Sequence, residues 1–170
     1  MSRIRASGAG LLTFIVLGLA GCATTDGPSY QEAKPSTVAP GKALVYVFRK
    51  HAEPTMWSTS ILVDDRELAS LSQGGFTWAY VTPGQHAVRG VWPTGSGQRD
   101  SVINLDVQAG GTYFLELTGI ARMTGVGPTV GGQTTVYYRM GSGLNEWRPE
   151  AAEPIVAGCC RFQKPVLSDF

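Results

Sequence analysis

From residue 42 onward, short runs of β-branched and aromatic side chains are cut every few positions by glycine, proline or aspartate. Such punctuation permits strands and tight turns and little else. The chain holds 22 glycines and 10 prolines in 170 residues, and no helical period competes with the pattern. Residues 43–48 (ALVYVF) are apolar at every position, as befits a central strand covered on both faces. Residues 60–63 and 67–71 flank Asp64-Asp65-Arg66 and read as a hairpin, because aspartate tolerates the left-handed backbone of a tight turn. Phe76, Trp78 and Tyr80 alternate with smaller residues up to Pro83-Gly84, and 85–92 follow as the second arm of another hairpin. Ile103, Leu105 and Val107 keep the same period of two before Gly110-Gly111 and the run 112–118, a third hairpin. With 134–140 last, about eight strands are expected in an antiparallel β-sandwich, a small barrel being the alternative.

The amino terminus has a different grammar. Arg3 and Arg5 precede an uncharged apolar run that closes on Leu19-Ala20-Gly21-Cys22, the pattern of a secretory signal peptide. The run reaches the length of a transmembrane helix only when its small flanking residues are counted. Leu19 to Cys22 resembles a bacterial lipobox, which implies cleavage before Cys22 and acylation of its sulfur and new amino group. Several acyl chains, palmitate among them, make such an anchor stable, since each buried methylene adds about 0.8 kcal/mol. Ala23, rather than aspartate, follows the cysteine, which in double-membrane bacteria resembles the signal for the outer membrane. The expected organisation is therefore a signal peptide over 1–21, a lipidated tether over 22–41 and one β domain over 42–170. The tether is poor in large apolar groups, and a flexible chain of that length reaches about 25 Å.

Five segments in order, 43–49 (ALVYVFR), 61–65 (ILVDD), the Gly75-Phe76 step, 81–86 (VTPGQH) and 109–114 (AGGTYF), resemble domain of unknown function 2846. The resemblance covers residues 43 to 118 and implies a small β-sandwich found in many lipoproteins. It implies no activity, substrate or catalytic residue. Asp65 stands where the family pattern has glycine, and Lys50-His51 where it has proline, so the first two loops depart from it.

Charge excludes a nucleic-acid partner. Of 14 Lys+Arg, Arg3 and Arg5 leave with the signal peptide, so 12 face 13 Asp+Glu. The polar candidates for chemistry are His51, Glu53, Asp64, Asp65, His86, Glu116, Cys159 and Cys160, and they form no recognised constellation. Two histidines without a CxxC or HxxxH spacing do not suggest zinc, and Asp64-Asp65 reads as turn chemistry. His86 reads as a solvated or turn-bonded residue. The glycines of 119–132 look superficially like a phosphate cradle, but no helix follows them, and the segment reads as a mobile loop. No catalytic residue, metal or cofactor is expected.

Among the tryptophans, Trp78 is assigned to the core, whereas Trp57 and Trp92 flank Pro- and Gly-rich loops and are the candidates for contact with a ligand such as a glycan. Cys159 and Cys160 have three fates: two free thiols, a bridge to each other, or a bridge to another chain. Neighbouring Cα atoms about 3.8 Å apart fall short of the usual disulfide spacing. An edge strand over 154–162 would point the sulfurs to opposite faces, and both considerations favour free thiols. The expected function is a non-catalytic binding or structural module, lipid-anchored at the outer membrane and facing the periplasm. The alternative is a partner subunit of an envelope assembly, joined through an edge strand or the 119–132 segment.

Overall fold

The computed structural model describes residues 25–129 and 131–170; the apolar run and Cys22 lie outside these residues. The described chain is built mainly of strands, arranged as two packed sheets. The first has the order β8 (Val136–Trp147), β7 (Thr112–Val126), β1 (Ala43–Arg49), β4 (Gly75–Val81) and β9 (Arg161–Phe162). The second has the order β3 (Arg66–Leu71), β2 (Thr59–Val63), β5 (Gly84–Val91) and β6 (Ser101–Val107).

β1 is buried at every position because it lies mid-sheet between two apolar layers. Val45 and Val47 point between the sheets and meet Ile61, Leu71, Leu105, Leu115 and Leu117. Leu44, Tyr46 and Phe48 point to the outer face, which carries Phe76 and Phe114 and is roofed by two helices, α1 (Tyr30–Ala33) and α2 (Pro149–Cys159).

Only one of the three expected hairpins forms as such. β2 and β3 pair around Asp64 and Asp65, whose φ values of 48° and 61° suit a tight two-residue turn. β4 and β5 do not pair: β4 joins β1, β5 joins β2 and β6, and the chain crosses between sheets at Pro83-Gly84. β6 and β7 likewise part at Gly110-Gly111, and β7 runs parallel to β1. Alternation specifies which face of a strand is buried, not which neighbour it takes, so both readings from sequence favoured the nearest partner. The true hairpins beyond β2/β3 are β5/β6 and β7/β8.

Three further expectations are corrected. The expected tether is not loose from residue 25 onward. The Tyr30 side chain, 2% exposed, inserts among Tyr46, Phe76 and Phe114, and one such ring suffices to dock a polar segment. Thr25 Oγ1 donates to the Gln73 carbonyl (2.6 Å), the Phe162 N–H to the Pro28 carbonyl (2.8 Å) and Trp78 Nε1 to the Ala33 carbonyl (2.9 Å). Of the edge strand considered over 154–162 only β9 at its end forms, and up to Cys159 the segment is helix α2. Pro149 opens it at the first turn, where no N–H is required, and Ala152, Val156 and Cys160 bury one stripe. Finally, 119–126 is no mobile loop but the second half of β7, paired with β8.

Candidate functional site

Defining the end where β1 finishes as the upper end, its organiser is Arg49. This side chain is fully buried between the sheets, a costly position for a cation without a carboxylate. Four carbonyls compensate: Nη1 donates to Trp57 and to Leu71 (3.1 Å), and Nη2 to Ala52 (2.7 Å) and Pro54 (2.9 Å). The guanidinium also lies 4.9 Å from the ring centre of Trp92. Burial pulls its pKa down to about 10, which leaves it charged at neutral pH. Arg49 thereby folds the 50–58 loop over the end of the sandwich, and Ala52 bridges Gly119 on β7. Glycine is required there, because a Cβ at 119 would lie 2.3 Å from the Glu53 carbonyl oxygen.

Beyond Gly119 the β7/β8 hairpin leaves the sandwich as a two-stranded ribbon, about 24 Å from Gly119 to Val126 at strand rise. Directly opposed residues share a face, so the register sorts its side chains. One face continues the inter-sheet layer through Ala121 with Met140, Met123 with Tyr138, and Val126 with Val136. The other carries Arg122 opposite Arg139, with Ile120 below and Tyr137 above. Met123 and Tyr138 are 62% and 60% exposed because the second sheet ends before reaching them.

The sequence candidates scatter. Trp57, 37% exposed, sits in the 50–58 loop at the upper end, while Trp92 is 5% exposed beneath Arg49 and is withdrawn as a ligand contact. Its indole belongs to the Arg49 packing, a role that requires the three-dimensional position of an arginine 43 residues away in sequence. His51 and Glu53 also lie at the upper end, with His51 Nδ1 3.1 Å from Gln73 Nε2 and the Glu53 carboxylate accepting from the Ala121 N–H. His86, Asp64 and Asp65 lie at the lower end. His86 Nδ1 is 2.6 Å from Asp64 Oδ2 and Nε2 is 2.8 Å from the Thr82 carbonyl, so the residue is turn-bonded. Burial pushes the Asp64 carboxyl up, but bonds from His86 and the Ala87 N–H outweigh it and hold it below its ordinary value. Glu116 stands apart on the outer face of β7, opposite Asn145.

Cys159 and Cys160 are joined to each other. Cys159 ends α2 and Cys160 is extended, so the strand alternation that would separate the sulfurs does not apply. Cys159 borders an upper-end cleft of about 700 Å³ lined also by Thr25, Asp26, Gly27, Gln73 and Arg161, while Cys160 is buried under the helical roof. Among the described residues no three of His, Cys, Asp and Glu gather where they would hold a metal, and no helix is long and apolar enough to cross a membrane.

These features define a β-sandwich module with a helical roof on one sheet and a ribbon at one end. The chain belongs to the DUF2846 family, described as a protein of unknown function, whose model matches residues 39–129, from just before β1 to just past β7. Comparison of the chain with the curated proteins and with the solved structures found no match.

Proposed function

We propose that this protein is an acylated envelope lipoprotein whose β-sandwich acts as a non-catalytic binding or structural module held against the membrane through Cys22. The observation that carries this reading is the sequence Leu19-Ala20-Gly21-Cys22 closing an uncharged apolar run that begins after Arg3 and Arg5. Thr25, only three residues beyond Cys22, is already fixed to Gln73 at the upper end, and a span of that length reaches about 10 Å. The domain is thus held with its upper end toward the bilayer, in place of the loose 25 Å tether expected from composition. The absence of aspartate after Cys22 favours the outer membrane, with the domain in the periplasm. A non-catalytic role is supported by the separation of the two histidines to opposite ends and by Glu116 standing apart from both.

A competing reading, a partner subunit of an envelope assembly, draws on the outer edge of β8, beside which no further strand lies among the described residues. Metabolic labelling with a palmitate analogue tests the anchor. Cys22→Ala is expected to abolish the label and release the chain from membranes, and full labelling of the variant would contradict the reading.

A further inference from the structure

Large apolar side chains exposed to solvent are not spread evenly over the described residues. Six of the eleven lie on the β7/β8 ribbon: Ile120, Met123, Val126, Val136, Tyr137 and Tyr138. Met56 and Trp57, in the neighbouring loop held by Arg49, make eight at one end. Exposed apolar groups gathered in this way mark a surface that is covered in use.

Three features say what covers it. First, position: β7 runs parallel to β1 and continues past its end, and Thr25, where the described chain begins, is bonded at that same end. Second, charge: from Met123 to Tyr138 the sequence contains no ionisable side chain other than the two tyrosines, so the tip enters an apolar medium without burying an ion. Third, Arg122 faces Arg139 directly across the ribbon and neither forms an ion pair among the described residues. Like charges at directly opposed positions disfavour pairing, and a shared anion such as a phosphate reverses the sign. Arginine, tyrosine and tryptophan at the margin of an apolar, uncharged tip match the layered chemistry of a membrane interface.

We propose that the ribbon is a bilayer-docking element. Its apolar face enters the headgroup region of an anionic phospholipid membrane, and Arg122 and Arg139 bind lipid phosphates. The inference rests on the anchor proposed above for the position of the membrane, but its chemistry stands on the ribbon.

The test uses the full chain as cells process it, reconstituted in phosphatidylglycerol vesicles that carry a spin-labelled lipid quencher. A fluorophore is attached at Val126→Cys on the ribbon or at Ala109→Cys in the turn at the opposite end. Quenching is expected to be several-fold stronger at 126 than at 109, and to fall to the level of 109 when Met123→Asp and Tyr138→Asp are added. These exposed positions lie beyond the sandwich, so the core stays intact. Equal quenching at both sites overturns the docking element, as does energy transfer between copies at 126, which would make a second chain the occupant. Acyl label is read on the same sample. Label without quenching at 126 keeps the anchor and removes the ribbon, and quenching without label does the reverse.

Discussion

The two ends of the sandwich are closed by different chemistry. At the lower end charged side chains pair with one another across the strands: Asp64 with His86, Asp65 with Arg89 at 2.8 Å and Lys42 with Asp169 at 2.7 Å. At the upper end one buried cation gathers a loop through backbone carbonyls, and a ribbon leaves the body with its apolar face uncovered. The upper end therefore carries exposed apolar surface that the two packed sheets do not themselves cover.

The contrast is broken most severely at Arg49. Arg49→Met removes the donor from four carbonyls. Leaving several buried acceptors unpaired costs about 3 to 5 kcal/mol in total. Denaturant unfolding checks this, and the loss should come with faster proteolysis in 50–58 while the lower-end turns stay protected.

Tyr30 sharpens it next, since this ring fixes the segment that leads to the proposed anchor. Tyr30→Ala is expected to cost about 3 kcal/mol, as for other large rings cut from a core. The phenol also predicts an alkaline limit. Burial, with Glu153 nearby, raises its pKa from the ordinary 10 to about 12. Its contribution is therefore intact below pH 10 and lost as pH rises from 10 toward 12, at up to about 1.4 kcal/mol per pH unit. Tyr46, raised by the same burial, adds to that decline. Tyr30→Phe should make the loss of stability in this window shallower in urea titrations, and an unchanged slope would show that the phenol is not buried.

The smallest effect is expected at the lower end. Gly84 has a φ of 131°, which side-chain-bearing residues rarely adopt, and no atom lies within 4 Å of a Cβ built there. Gly84→Val should cost about 1 to 2 kcal/mol from backbone strain alone. A thermal melt with an unchanged midpoint would mean the crossover at 83–84 relaxes freely.

The same division explains what was legible in the sequence. Strand identity was readable wherever Gly, Pro or Asp bounded an alternating run, and Asp64-Asp65 and the doubly buried β1 emerged as expected. Strand partnership was not, because a period of two is the same for either neighbour, so β4/β5 and β6/β7 were read as hairpins. Helix α2 was hidden because Pro154, Gly158 and the paired cysteines look like breakers; Pro149 and the spacing of Ala152, Val156 and Cys160 were the available signal. Tyr30 was the one large ring in a polar segment, and its burial depends on Phe76 and Phe114 far along the chain. At the upper end, the exposed loop position of Trp57 was readable from composition, whereas Arg49 was not singled out, since a strand-end arginine ordinarily reaches solvent. The ribbon was obscured by its glycines at 119, 125, 127, 131 and 132, although its uncharged stretch from Met123 to Tyr138 was visible.

If the ribbon docks as proposed, the upper end faces the bilayer and the lower end faces away. Photoactivatable phospholipid incorporated into membranes bearing the full chain, followed by mapping of crosslinked peptides, tests it directly. Crosslinks are expected on Met56, Trp57 and the 120–140 ribbon, with none on the turns at 64–65, 83–84 and 108–111. Crosslinks spread over both ends, or confined to the lower one, would contradict it.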